Sequence, residues 1–417
     1  MVDNNELKAE LMKNEYWEEA YDRLASKPYI STEDLGKLYI IRDMEREQYV
    51  NSIIDGTYDW SIPRKLMLAK HGTRKKRVVY VHSLEDRYLL GVIYRALNYL
   101  CKDLVSDRCF SYKKAVSTST AIKYVLNNKG TAEYGVKLDI HAYFNSVSKE
   151  KVTAMLDELF TGGFKLSMQK LLLTDKVSYK GQIIDEYKAL IPGCALGSFF
   201  ANYTLRECDQ YFDDNGILYA RYSDDIIIMG NSNEELCGHI DVVKKYLAEY
   251  GLIINESKYK WFAPSDEVEF LGLKITQTGD IDISDKGRQK IKRQIHRWCR
   301  KGRIEIEKGN DTFERQASKI LHRLNYKNFI CYIDHDNTFG WCHYAFRYIT
   351  AIDTLKELDF YVKDTLRAMK TGKHNKANAR VLNDDELREL GWVSLVELYN
   401  IYKFDFDYYC EIIELFR

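Results

Sequence analysis

The sequence predicts an α+β protein in which helical arms flank a middle built of short strands. Three observations carry this. Apolar residues recur at helical spacing over residues 5–55. Short alternating or continuous apolar runs punctuate residues 77–276. Beyond about residue 284 the pattern returns to almost unbroken helix.

In the N-terminal arm, Ser31 with Asp34 reads as a capping box. Ile40, Ile41, Met44, Ile53 and Ile54 follow at helical spacing, and Gly56 ends the run. RVVYV, 77–81, reads as a strand and residues 84–105 as a helix. In EYGVKLD, 133–139, Tyr134, Val136 and Leu138 alternate, so a strand ends in an acid. Helices are expected over 148–160, 194–214 and 234–250. Residues 217–222 and 226–229 read as two apolar strands joined at Ser-Asp-Asp, and FLGLKIT, 270–276, as a further strand. In 286–303, Ile291, Ile295 and Trp298 share one helical face.

At 417 residues the chain is long enough for two or three domains, and its 45% hydrophobic and 30% charged residues fit a globular protein. Four prolines and no linker-like stretch argue for a compact, lobed body. No apolar run reaches the roughly 20 residues of a membrane helix, and the first residues lack a signal-peptide core. No membrane partner and a cytoplasmic setting are therefore expected. The nine cysteines include no CxxC pair, which fits reduced thiols. Cys331, His335, Cys342 and His343 cluster, but their spacing matches no standard zinc pattern, and ordinary packing is the reading.

Net charge is +0, but its distribution is uneven. Residues 64–77 hold seven Lys/Arg and no acid, and residues 286–303 hold nine and no acid. Such runs usually form solvated faces. Two of them in a neutral protein also suit a track along a nucleic-acid backbone, and the 32 tyrosines suit base stacking as well as packing.

YSDD, 222–225, wedges two carboxylates between apolar runs. The plain reading is an acidic turn, because Asp bonds local backbone. The chemical reading adds Asp139 at the end of its own strand. Two-metal nucleotidyl transfer needs carboxylates from adjacent strands, converging on ions about 3.5–4 Å apart. Mg²⁺ takes few protein carboxylates and leaves room for substrate phosphates.

At this point the chain resembles the bacterial reverse transcriptases of the group II intron and retron lineage. LDIHAYF, 138–144, resembles the first catalytic-aspartate segment and YSDD the second. KHGTRKKR, 70–77, resembles the triphosphate-gripping fingers segment, and SLEDRYLLGVIYRAL the helix after it. IPGCALGSFFAN, 191–202, GLIINESK, 251–258, and FLG, 270–272, resemble three further segments, the last a primer grip. All seven stand in family order across residues 62–276.

The resemblance implies a right-hand polymerase: N-terminal helices and fingers at 1–132, an RRM-like antiparallel palm at 133–280, and thumb with C-terminal helices at 281–417. It implies Asp139, Asp224 and Asp225 as catalytic acids. With the carbonyl of Ile140 they would hold two Mg²⁺ ions, for which Mn²⁺ can substitute. Lys70 and Arg77 would clamp the triphosphate. Phe144 would sit under the sugar and exclude a 2′-hydroxyl, unless it simply packs. Lys258 would steady the leaving pyrophosphate, unless it is a surface lysine. Gly193, Tyr222, Leu271 and Gly272, with Lys292, Arg293 and Arg297 of the basic helix, would contact template and primer. The expected partners are an RNA template, deoxynucleoside triphosphates and the cDNA product. Oligomeric state is not legible. Pro192 stands where the family usually has Gln, so this chain offers no side-chain hydrogen bond there.

The tail LRELGWVSLVELYNIYK, 387–403, resembles the stand-alone "unknown group" and abortive-infection reverse transcriptases. These imply anti-phage defence and a structured noncoding RNA encoded nearby as template. The rivals are a template-independent or protein-primed DNA polymerase on the same palm, an RNA-dependent RNA polymerase, which Phe144 opposes, and a non-catalytic RNA-binding protein, which the intact acids oppose.

Overall fold

The computed structural model describes every residue except 28, 70–75, 114–115, 129–131, 276–279, 326–331, 335–336, 340 and 415–417. The chain forms two compact units, Met1–Pro264 and Ser265–Arg417. Among the described residues no helix is long and apolar enough to cross a membrane.

Among the described residues the first unit holds two four-stranded sheets. One runs β2–β1–β4–β5, from Arg64–Ala69 (β1), Lys76–Val81 (β2), Lys176–Tyr179 (β4) and Gln182–Asp185 (β5). The other runs β6–β7–β3–β8, from Tyr134–Asp139 (β3), Tyr219–Tyr222 (β6), Asp225–Gly230 (β7) and Lys260–Phe262 (β8). Every pairing in the second sheet is antiparallel, as an RRM-like palm requires.

β7 is a continuous apolar run because it is buried on both faces. Ile226 and Ile228 join the main core, while Ile227 and Met229 are buried on the opposite face. Gly135 of β3 lies opposite Met229, and a Cβ there would stand 2.6 Å from its sulfur and 3.3 Å from the Phe262 ring. Glycine thus lets both side chains close over the strand. The helix Asn233–Glu249 packs on this sheet through Leu236, Ile240, Val243 and Leu247, and Ser232 caps its N-terminus by accepting from Glu235 N.

The expected N-terminal helices are present, ending in Arg46–Ile54, and Ser31 caps Thr32–Ile40 by accepting from Asp34 N. A π-helical turn, Ile41–Glu45, interrupts them. The helix expected over 84–105 stops at Leu100, and the one over 194–214 divides at Leu205 into Ala195–Thr204 and Arg206–Asp214. The β4–β5 hairpin escaped the sequence reading, although its Lys180–Gly181 turn is legible: both have positive φ, as a type I′ turn requires.

In the second unit a small sheet orders β11–β10–β9, from Val268–Phe270 (β9), Leu273–Ile275 (β10) and Ile281–Ile283 (β11). The single strand expected at 270–276 is therefore corrected to a hairpin. Leu271 (φ 48°) and Gly272 (φ 90°) both take left-handed backbone, so the chain reverses where a strand was expected. The helix Asp285–Glu307 buries Ile291, Ile295 and Trp298 on one face, as expected. After residue 284 the described residues are mostly helical, as expected, with Tyr332–Asp334 and Asn337–Phe339 pairing as two short strands. Cys331 and His335 lie outside the described residues, and Cys342 is fully buried.

Candidate active site

The β3–β7 register sets Asp139 directly opposite Asp225. β6 and β7 are joined by a two-residue turn, Ser223–Asp224, with Tyr222 paired to Asp225. The three carboxylates therefore meet at one end of the central sheet. Ile140 N donates to Asp224 O at 3.1 Å. On the other edge, His141 N and Asn255 N bond Ile253 and Asp139 carbonyls, so the Ile140 carbonyl faces the turn.

Two ammonium groups hold two of the carboxylates. Lys258 Nζ donates to Asp139 Oδ1 at 2.5 Å, and Lys137 Nζ lies 2.8 Å from Asp225 Oδ1. Asn255 Nδ2 reaches Asp139 Oδ1 at 3.4 Å. Among the described residues Asp224 has no such ion-pair partner. Burial, then the Asp225 and Asp139 carboxylates, push its carboxyl above the usual value. As the side chains stand, no three His, Cys, Asp or Glu among the described residues group closely enough to enclose a cation. The chemistry of the donors nonetheless fits hard divalent ions: only oxygens, with the charge of Asp224 left over after Lys258 and Lys137 meet the other two carboxylates.

The turn carrying Asp224 breaks the usual turn chemistry. Ser223 has φ 60° where glycine is usual in a hairpin of this kind. The surroundings hold it there. Its N–H donates to Ser111 Oγ at 2.9 Å, its hydroxyl accepts from Tyr112 at 3.2 Å, and its carbonyl accepts from Arg221 at 3.3 Å. Beneath lies a fully buried ion pair: Arg221 donates to Asp209 through Nε (2.7 Å) and Nη2 (2.5 Å), and Tyr219 donates to the same carboxylate. Asn202 Nδ2 donates to Ser111 O, and its Oδ1 accepts from Ser111 Oγ. Such a network pins a strained turn from below.

Phe144 follows Ala142 (φ 46°) in the short helix Tyr143–Ser146. Its ring packs edge-on against Tyr112, centroids 6.3 Å apart. Tyr112 thus links Phe144 to Ser223. Gly193 has φ 100°, and a Cβ there would stand 3.1 Å from the Tyr80 carbonyl. Pro192 anchors the same loop to β2, accepting from Tyr80 N at 2.8 Å. Its role here is made by its carbonyl, which any residue could supply.

The other expected residues are placed as follows. Tyr222 is half-buried at the end of β6. Arg77 is exposed on β2, and Lys70 lies outside the described residues. Leu271 and Gly272 form the β9–β10 turn of the second unit, bonded by Tyr344 Oη and Ser284 N. Arg293 and Arg297 are exposed on the basic helix, whereas Lys292 is turned inward onto Glu357, which also takes Arg288.

Sequence reading missed Lys137, Ser111, Tyr112, Asp209 and Arg221. For Arg221 a signal existed: a lone cation inside an apolar strand run, beside two acids. Asp209 sits in an acidic amphipathic helix and carried none.

Residues 68–275 match the family described as reverse transcriptase (RNA-dependent DNA polymerase). The chain is 26% identical over 265 residues to the retron Ec86 reverse transcriptase of Escherichia coli, covering 61% of this chain and 76% of that one. It is 24% identical over 207 residues to the group II intron-encoded protein LtrA of Lactococcus lactis subsp. cremoris, covering 48% of this chain and 34% of that one. A solved apo telomerase from Candida Tropicalis, truncated from its C-terminal domain, aligns with 54% of this chain and 55% of that one, at TM-score 0.39 and 14% identity.

The chain carries a reverse transcriptase domain on a right-hand polymerase fold, of the bacterial lineage that includes retron and group II intron enzymes. Its enzyme class is RNA-directed DNA polymerase.

Proposed function

We propose that this chain copies a dedicated structured noncoding RNA, encoded near its own gene, into cDNA in the cytoplasm as part of anti-phage defence. The observation that supports the chemistry best is the register that sets Asp139 against Asp225 with Asp224 at the adjoining turn. Asp139, Asp224, Asp225 and the Ile140 carbonyl are the groups to hold two Mg²⁺ ions. When bound, such ions supply the positive charge that activates a primer hydroxyl and stabilises departing pyrophosphate. Lys258, about half exposed and bonded to Asp139, is placed to release that carboxylate and turn to the pyrophosphate. Arg77 and Lys70 serve the triphosphate, and Gly193 and Tyr222 the template. Leu271, Gly272, Arg293 and Arg297 serve the primer strand.

The proposed bodies are fingers at 1–132, palm at 133–280 and thumb at 281–417. The break at Pro264 falls inside that palm. The defence role rests on the 387–403 tail, whose helix Leu395–Phe404 is capped by Ser394.

Phe144, propped by Tyr112, is the proposed sugar gate. Phe144→Ala should raise ribonucleotide incorporation at least about tenfold, worth roughly 1.4 kcal/mol. Unchanged sugar selectivity in primer extension would remove it from that role.

The defining experiment recovers the protein from cells carrying its native flanking DNA and sequences the bound RNA and DNA. Asp224→Ala with Asp225→Ala is the control. DNA complementary to one bound RNA, present only with the wild type, is the expected result. DNA matching no RNA would establish template-independent synthesis. Identical nucleic acids in both samples would overturn synthesis under those conditions and leave an RNA-binding role or an enzyme that awaits infection.

A further inference from the structure

A cleft of about 200 Å³ opens at the base of the β1–β2 hairpin. It is bordered by residues 59–63, by His82 just past β2, and by residues between Lys170 and Lys188. None of the three carboxylates of the active site lines it.

Its deep lining is basic and under-satisfied. Lys188 is only 1% exposed, and its ammonium donates to the Thr174 carbonyl. Among the described residues no carboxylate stands within ion-pair distance of it. Burial pushes its pKa below the ordinary lysine value. His82 is 5% exposed, and neither ring nitrogen has a hydrogen-bond partner. Nδ1 stands 3.6 Å from Asp86 Oδ2, beyond hydrogen-bond range. The Asp86 carboxylate is already taken by Ser61 N and Oγ and by the Tyr58 hydroxyl. At the rim, Lys170 and Lys176 are paired with Asp59 and Asp185. Lys188 is thus the lining lysine without a contact ion pair among the described residues, the Asp175 and Glu186 carboxylates acting on it only from farther off.

A buried ammonium with no carboxylate in ion-pair contact is unfavourable, and so is a buried imidazole neither of whose nitrogens makes a hydrogen bond. Both on one cleft are accounted for by a ligand that brings negative charge and several acceptor oxygens. We propose that this cleft binds a small free phosphoanion, gripped by Lys188 and His82. A phosphate presents acceptors in several directions, so an ammonium and an imidazole on different walls can bond it together. The burial of Lys188 favours a free anion over a backbone phosphate, whose flanking sugars would have to enter as well. Inorganic phosphate, pyrophosphate and a nucleoside monophosphate share this chemistry.

The test is thermal unfolding and titration calorimetry of the full chain with each of those three, using dAMP as the monophosphate, against sodium chloride at matched ionic strength. At least one should bind saturably and raise the Tm by roughly 2–4 °C, and the pattern across the three identifies the source. Lys188→Met should abolish the response while folding as well without anion, since it removes an unpaired buried charge. His82→Asn should weaken binding about tenfold, and it decides the matter if Lys188→Met does not fold. Asp224→Asn should respond as the wild type does, which separates this site from the polymerase reading. A flat wild-type response to all three anions, a response matched by chloride, or undiminished binding in the variants would overturn the proposal.

Discussion

Two hairpin turns in the first unit obey opposite rules. Lys180–Gly181 joins β4 to β5 with φ values of 52° and 84°, and a Cβ added to Gly181 would meet open space. Local turn chemistry suffices there, with glycine at the second left-handed position. Ser223–Asp224 joins β6 to β7 with serine at φ 60° and an acid whose charge is opposed by burial and by its neighbours. Local chemistry disfavours that turn. It is held by Ser111, Tyr112 and the buried Arg221–Asp209 pair. Where local preference and structure disagree, the surroundings hold the conformation, and such places mark function.

The largest effect expected on this contrast comes from Arg221→Ala. It leaves Asp209 charged and fully buried without its partner, which costs about 3–5 kcal/mol. The urea midpoint should fall accordingly and DNA synthesis should be lost. Arg221→Met with Asp209→Leu should recover much of the stability but not the activity. If the double variant polymerises normally, the pair does not position the turn.

Asp224→Asn comes next, and its sign is opposite. A carboxyl raised in the folded state makes the folded protein hold its proton more tightly than the unfolded chain does. The resulting penalty is absent below the ordinary value of 3.8, appears as pH rises through it, and is complete above the folded-state value. The variant should therefore be more stable than the wild type at pH 7 in metal-free buffer, with the gain shrinking toward pH 4, while synthesis is abolished. A gain that does not depend on pH would show that charge repulsion at the turn is not its source.

Gly181→Ala places a Cβ on left-handed backbone and should cost about 1 kcal/mol, with primer extension unchanged. Loss of activity there would end the distinction between the two turns. The smallest effect is expected from Tyr112→Phe, which removes one hydrogen bond to Ser223 while keeping the ring against Phe144. Stability should change by about 1 kcal/mol or less, while the extension rate drops several-fold.

Much of this was legible in the chain itself. Strand 133–139, the YSDD hairpin and the helix over 233–249 follow from apolar periodicity and caps, which are local. So does the amphipathic helix with Ile291, Ile295 and Trp298. The candidate acids were legible because Asp139 ends a strand and Asp224–Asp225 sit where two others are joined, and because ordered neighbouring segments carried the family pattern. The β9–β10 hairpin is not legible as such, since nothing in the sequence marks Leu271 for the left-handed backbone (φ 48°) it takes. Lys292, expected at the template and primer, instead turns inward onto Glu357, because a basic run does not say which of its members meets an acid from a distant helix.

The sequence by itself determined the antiparallel core strands, the candidate acids and the polymerase class, because periodicity, turn residues and motif order depend on near neighbours in the chain. Only the tertiary structure decided how those acids are held. Asp139 meets Asp225 through strand register, Lys137 and Lys258 reach them across strands, and Ser223 tolerates its backbone through Ser111 and Tyr112. Lys188 and His82 likewise share one cleft only after β1, β2 and the segment from Lys170 to Lys188 have packed. These are through-space relations between residues far apart in the chain. Their energies arise from burial and charge, which local pattern does not encode.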